Sequence, residues 1–191
     1  MARKTVGVLA LQGGVEEHLA MAQECGWNAV RVKTAEDLKK IDALILPGGE
    51  STTMNLLSQQ RGLLKALKSA IKKGLPVFGT CAGTILLAKK VGKGKGLIGV
   101  MDLAVERNAY GRQAESFETD LEIGGLGKFH CIFIRAPAIG GIGKNIDVLA
   151  GFGGKPVLVR QGRMLAAAFH PELGADCRLH KFFLCKVAQG F

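Results

Sequence analysis

The sequence predicts an α/β fold: an open, mostly parallel sheet flanked by helices, with a small antiparallel strand insertion. Three observations predict it. Continuous apolar runs at residues 6–11, 43–46 and 76–79 suit strands buried on both faces. Segments of helical periodicity lie between those runs, and strand–helix alternation builds parallel sheets because each crossover must cover a face. Residues 100–134 instead break into short pieces, and 117–123 alternate apolar with polar side chains, as in a strand with one wet face.

Taken in order, residues 6–11 form the first strand. Residues 15–25 form a helix with Val15, Leu19 and Ala22 on one stripe, ended by Gly26. Residues 29–32 are the second strand. Thr34 opens a short helix, with Glu36 and Asp37 in the first turn, where acidic groups suit the helix dipole. The strand 43–46 stops at Pro47-Gly48-Gly49, and Ser51 or Thr52 can cap the helix that follows. A helix over 63–73 ends at Gly74, the strand 76–79 follows, and a helix is expected over 82–90. Beyond the insertion, 131–134, 157–159 and 164–169 read as strands, and 175–188 as the closing helix. No repeat or linker divides the chain, so residues 1–191 are expected to form a single domain.

Composition narrows the function. The chain is 48% apolar and 22% charged, which excludes disorder. No apolar run approaches the ~20 residues of a membrane span. The basic, then apolar, start mimics a signal peptide, but no small-residue cleavage site follows, so a buried first strand is expected. Cys25, Cys81, Cys131, Cys177 and Cys185 are odd in number and form no C-x-x-C, which points to reduced thiols in a cytoplasmic protein. The net charge is 26 − 16 = +10, but the basic residues are scattered and aromatics make up only 6%, so nucleic-acid binding is not expected. A charged partner protein or anionic substrates account for the charge equally well.

The chemistry concentrates in three segments. In Phe78-Gly79-Thr80-Cys81-Ala82-Gly83 an apolar strand meets G-x-C-x-G and then a helix. Small residues on both sides permit a sharp turn that lifts a nucleophile out at the carboxyl end of the sheet. The helix N-terminus favours a thiolate, and the Ala82 N–H faces an oxyanion formed beside the sulfur. A thiol nucleophile needs a base with an orienting partner. Of four histidines, His170 ends an apolar strand and is followed by Pro171 and Glu172. Pro171 keeps His170 out of the α region, and in an extended segment Glu172 shares its face. His18 is expected to be a surface or capping residue of the first helix. His180, among basic neighbours in the last helix, is expected to be exposed, and His130 to precede a strand. Finally, Pro47-Gly48-Gly49 ends another strand, where the Gly49 N–H can serve as a second oxyanion donor.

These motifs together resemble those of class I (triad) glutamine amidotransferases: Leu46-Pro47-Gly48-Gly49-Glu50-Ser51, Gly79-Thr80-Cys81-Ala82-Gly83 and Phe169-His170-Pro171-Glu172. Val8-Leu9-Ala10-Leu11-Gln12-Gly13, Val105-Glu106-Arg107-Asn108, Gly111-Arg112-Gln113, Ser116-Phe117-Glu118 and Phe133-Ile134-Arg135-Ala136-Pro137 look like one subgroup, the glutaminase subunits of pyridoxal 5'-phosphate synthases. The resemblance runs from about residue 5 to 188. It implies a flavodoxin-like amidotransferase fold and hydrolysis of L-glutamine to L-glutamate and ammonia. Cys81 would be the nucleophile and His170 the general base and acid, oriented by Glu172. Gly49 and Ala82 would form the oxyanion hole. Gly49, Glu50, Ser51, Arg107, Ile134 and Arg135 would bind glutamine, with Arg112 a further contributor. Gln12 would lie near the partner interface. The resemblance implies no metal or organic cofactor, and ammonia passing to a synthase subunit with a (β/α)₈ barrel in a hetero-oligomer. Three other readings stay open: a glutaminase serving another synthase, a regulatory subunit that no longer catalyses, and a stand-alone cysteine hydrolase.

Overall fold

The computed structural model of the chain describes residues 4–49, 56, 59–107 and 116–190. Strands β1 (Thr5–Leu9), β2 (Asn28–Val32), β3 (Ala43–Leu46), β4 (Val77–Thr80), β12 (Lys155–Gln161) and β13 (Met164–Ala167), with β11 (Asp147–Phe152), form one seven-stranded sheet. Its order is β11-β12-β13-β4-β3-β1-β2. From β13 to β2 every pairing is parallel, and β12 and β11 add an antiparallel edge. The mostly parallel core is therefore as the sequence predicts, whereas the antiparallel edge is an addition to it, and β11 forms in a stretch where no strand was expected.

Both faces of the sheet are covered, and alternation along the strands divides the core. Val6, Val8, Ala43, Ile45 and Phe78 face one layer, with Val15, Leu19 and Ala22 of α1 (Val15–Glu24) and Leu179 and Phe183 of α4 (Arg178–Cys185). Leu44, Leu46 and Val77 face the other, with Leu63, Leu67 and Ile71 of α2 (Arg61–Lys72) and Ile85 and Leu86 of α3 (Ala82–Leu87). Continuous apolar runs in β1 and β3 are the sequence signature of this two-sided burial.

The insertion is two small sheets. One contains β5 (Ala88–Val91), β6 (Gly94–Lys95), β7 (Met101–Glu106) and β10 (Ala138–Ile142) in the order β10-β7-β5-β6, and its β5–β7 pairing is parallel. The other is the antiparallel hairpin β8 (Ser116–Ile123) and β9 (Gly127–Ile134). Its inner face stacks Phe117 on Phe133 and Phe152, with ring centroids 4.5 and 5.0 Å apart.

Several expected boundaries move. The helix expected over 82–90 ends at Leu87 because Ala88 turns extended and buries itself opposite Met101 in the second sheet. The closing helix starts only at Arg178. The Asp176 carboxylate accepts its backbone N–H and guanidinium, and the helix gives way to a 3-10 turn at Val187–Gln189. The short helix after Thr34 is a 3-10 turn at Asp37–Lys40, begun by the Asp37 carboxylate accepting the N–H groups of Lys33 and Thr34. The first strand stops at Leu9, and His130 lies within β9. The cap expected at Ser51 or Thr52 falls outside the described residues.

Gly83 shows how closely α3 sits on the sheet: a Cβ there would overlap the Leu46 carbonyl oxygen. Gly83→Ala is therefore expected to lower stability by about 1–3 kcal/mol through overpacking, although alanine is the better helix former. Thermal unfolding checks this, with a fall of at least ~2 °C expected for a chain of this length.

Candidate active site

The carboxyl ends of β3, β4 and β13 lie side by side, and each delivers one of the three segments singled out from the sequence. Thr80 ends β4 and Cys81 caps α3 with φ 46° and ψ −105°. A β-carbon-bearing residue resists this conformation, so the surroundings must hold it. The Cys81 N–H donates to the Ala167 carbonyl at 2.9 Å, and the Thr84 hydroxyl lies 2.7 Å from the same oxygen. Gly79 and Gly83 leave room for the turn, since a Cβ on Gly79 would come within 2.7 Å of the Gly83 carbonyl carbon. The strand–turn–helix context expected around Cys81 is present.

His170 follows β13 with φ −106° and ψ 85°, outside the α region as its Pro171 neighbour requires. Its N–H donates to the Ile132 carbonyl of β9 at 2.8 Å, so the inserted hairpin fixes its place. His170 Nδ1 and Glu172 Oε1 are 2.7 Å apart. The sequence reading expected an extended segment to bring them together. Instead, a 3-10 turn at Pro171–Leu173 does so and buries Glu172 to 3% exposure. Burial alone would pull the His170 pKa down. Hydrogen bonds to Cys81 and Glu172, and their charges, outweigh it and push the pKa up to about 10.

Gly48 closes the arrangement from β3. Its N–H donates to the Thr80 hydroxyl at 3.0 Å, and a Cβ on it would overlap His170 Cε1 and lie 3.2 Å from Cys81 Cβ. Gly49 follows, half-buried. Ala82 is the first residue of α3, where a backbone N–H has no acceptor within the helix. Cys81 Sγ lies 3.8 Å from the Ile134 carbonyl oxygen. Arg135, next in sequence, is exposed with φ 44°, and among the described residues it and Cys81 are the non-glycine positions with positive φ. Arg107 is exposed just after β7, and Gln12 is exposed between β1 and α1. Glu50, Ser51 and Arg112 lie outside the described residues.

Sequence reasoning placed two histidines wrongly. His18 and His180 are both fully buried, not at the surface. His18 Nδ1 lies 2.8 Å from His180 Nε2, and His18 Nε2 lies 3.1 Å from Thr80 Oγ1 and 3.5 Å from Glu172 Oε2. Their positions carried a signal. His18 falls on the same stripe as Val15, Leu19 and Ala22, and His180 sits three residues before Phe183. Burial, reinforced by the charges of His180 and His170, holds the His18 pKa well below its ordinary value. Burial lowers His180 to about 4. His130 is the opposite case. It is exposed in β9, and its pKa is raised by hydrogen bonds to Asp120 and Glu118.

Comparisons with known proteins show the family and the fold. The sequence model of the SNO glutamine amidotransferase family matches residues 8–189. The chain is 54% identical to the pyridoxal 5'-phosphate synthase subunit PdxT of Pelotomaculum thermopropionicum, over 96% of this chain and 95% of the relative. It is 51% identical to the subunit of the same name from Thermus thermophilus, over 95% and 97%. A solved structure described as a glutamine amidotransferase superposes with a TM-score of 0.90 at 49% identity, covering 96% of this chain and 98% of the other.

Two outcomes follow from the site. Gly48→Ala is expected to displace the His170 ring and lower glutaminase turnover by about 10²–10⁴-fold, the usual worth of a positioned acid–base group. Activity assays on a variant that still melts cooperatively check it. Acid should destabilise the fold through the two buried imidazoles. Unfolded histidines take up protons below about 6.5, whereas folded His18 and His180 stay neutral well below that. The unfolded chain then binds more protons, so stability falls as pH drops from 6.5 towards 4. Urea midpoints at pH 7 and pH 5 should differ more for the parent chain than for His180→Leu, which has one titrating group fewer.

Proposed function

Because the chain belongs to the SNO glutamine amidotransferase family, we infer that it is the glutaminase subunit of a pyridoxal 5'-phosphate synthase, hydrolysing L-glutamine to L-glutamate and ammonia. One observation carries the site assignment: a cysteine held in a strained strand-to-helix turn, beside a histidine that is itself held at 2.7 Å by a buried carboxylate.

Cys81 is the nucleophile, His170 the general acid and base, and Glu172 the group that orients it. His170, its pKa pushed up to about 10, carries the proton shared with the thiol as the sulfur adds. The sulfur adds to the side-chain amide carbon of glutamine, and the Gly49 and Ala82 N–H groups take the developing oxyanion. His170 protonates the leaving nitrogen as the C–N bond breaks, releasing ammonia and leaving a γ-glutamyl thioester on Cys81. His170 then accepts a proton from water as its oxygen attacks the thioester. Collapse breaks the C–S bond, releases glutamate, and returns the shared proton to the cysteine–imidazole pair.

Glutamine is bound by Gly49, Glu50, Ser51, Arg107, Ile134 and Arg135. A guanidinium suits the substrate's α-carboxylate because the contact is charge-assisted. Arg135, next to Ile134, whose carbonyl oxygen lies 3.8 Å from the nucleophilic sulfur, is the cation best supported for that role. The ammonia goes to a synthase subunit, which by family resemblance is a (β/α)₈ barrel, and exposed Gln12 belongs to the docking face beside the site. The protein works in the cytoplasm, a reading supported by its five unbridged thiols.

The test measures glutamate and ammonia release from glutamine by the chain, alone and mixed with the synthase subunit. Release should rise on mixing, and Cys81→Ala should lower it by about 10⁴-fold or more without unfolding the chain. A Cys81→Ala variant that still releases ammonia removes Cys81 as nucleophile.

A further inference from the structure

Three buried side chains behind Glu172 take no part in the chemistry above: His18 on α1, Thr80 on β4 and His180 on α4. None exposes any surface. Glu172 Oε1 faces His170, whereas Glu172 Oε2 is fully buried and accepts no hydrogen bond. A buried carboxylate oxygen without a donor is costly, so a nitrogen close to it matters. The side-chain nitrogen that faces it is His18 Nε2, 3.5 Å away.

Proton accounting decides what His18 presents there. One proton lies in the 2.8 Å contact between His18 Nδ1 and His180 Nε2. If His18 supplies it, the bare lone pair of His18 Nε2 faces the carboxylate, and His180 Nδ1 carries a buried proton with no acceptor. If His180 supplies it, His18 bears its proton on Nε2, directed at Thr80 Oγ1 and Glu172 Oε2. The carboxylate selects the second arrangement, because a donor faces it and not a lone pair. His180 is in turn held by Phe78, with ring centroids 5.9 Å apart in an edge-on contact.

We propose that His18 is a positioning residue for the glutaminase reaction, its Nε2–H holding the second oxygen of Glu172, and that His180 fixes His18 in the tautomer that puts the proton there. The inference rests on Glu172 being the carboxylate that orients His170. The contacts then run in series: His180, His18, Glu172, His170, Cys81. The 3.5 Å contact is long for a hydrogen bond, and catalytic hydrogen bonds commonly shorten when substrate binds. With Oε2 held, the carboxylate cannot rotate away from His170. The titratable groups facing His18 are His180 from α4 and His170 and Glu172 from the turn after β13, with Glu17 on the outer side of Gly14. Burial and the neighbouring histidines keep His18 neutral, so it donates a hydrogen bond without cancelling the charge that Glu172 lends to His170.

The experiment is steady-state glutaminase kinetics, in the presence of the synthase subunit, for His18→Leu, His18→Gln and a Glu172→Gln control, each with its melting temperature. His18→Leu is expected to lower kcat by about 10–10²-fold, the usual effect of losing a group that orients a catalytic one, with KM changed less than about twofold. The acid limb of its kcat/KM profile should move to higher pH, because a buried carboxylate without a donor ionises less readily. His18→Gln, whose amide N–H can stand near the Nε2 position, should recover most of kcat. Wild-type kcat and acid limb in His18→Leu, beside an inactive Glu172→Gln, overturn the role of His18 and leave the triad standing. Full activity in Glu172→Gln overturns the triad reading itself. Equal losses in both His18 variants that track their melting temperatures mark a packing role and overturn the proposal. Should His18→Leu not fold, long-range ¹H–¹⁵N spectra of the unaltered protein decide: an Nε2–H tautomer at His18 is expected, and an Nδ1–H tautomer overturns it.

Discussion

A carboxylate buried to 3% exposure is the constraint on which the rest of this structure depends. Taking an ionised carboxyl out of water costs several kcal/mol unless donors replace the solvent. Glu172 meets part of the cost by drawing elements together. The 3-10 turn after β13 aims its Oε1 at His170, while α1 brings His18 to the other side, where Thr80 of β4 touches the imidazole. His170 also stands beside Cys81, so the imidazole that pairs with the carboxylate is the one placed next to the thiol. Partnering of the buried carboxylate and the placing of imidazole beside thiol are one arrangement here.

Topology explains why this arrangement can form at all. In an open parallel sheet the carboxyl ends of neighbouring strands share one edge, and side chains just past them converge without any long loop. β3, β4 and β13 are adjacent and contribute Gly48, Cys81 and His170. Close approach is then a matter of side-chain size. Any β-carbon on Gly48 would overlap the His170 ring, and any on Gly83 would overlap the Leu46 carbonyl. The β8–β9 hairpin adds the remaining constraint, since the Ile132 carbonyl accepts the His170 N–H and the Ile134 carbonyl lies beside the sulfur. An insertion outside the main sheet thus supplies part of the site's frame.

The four histidines show how environment, not residue type, sets protonation. His170 gains enough from Cys81 and Glu172 to outweigh desolvation and carries a raised pKa. His18 and His180 are shielded more fully, and burial dominates and keeps them neutral. His130 sits in water between two carboxylates and is raised without burial. A raised pKa beside the sulfur and lowered ones behind the carboxylate fit the proposal that His170 gives the leaving group its proton.

The sequence by itself determined the parallel core, the strand-to-helix turn at Cys81 and the grouping of Gly49, Ala82, His170 and Glu172 at strand ends. These follow from local signals: continuous apolar runs, small residues flanking a cysteine, and a proline after a histidine. The helix ending at Leu87 was not legible, because Ala88 leaves it for a strand partner, Met101, that is remote in the chain. The burial of His18 and His180 was only half legible. Helical spacing places each beside an apolar stripe, but a polar residue on such a stripe is tolerable only if a partner waits inside the fold. Those partners are separated by 162 residues in one contact and 62 in the other, and only the tertiary structure brings them within hydrogen-bond distance. Local chemistry is written in short segments, whereas compensation of a buried polar group depends on which distant segments meet, and packing alone decides that.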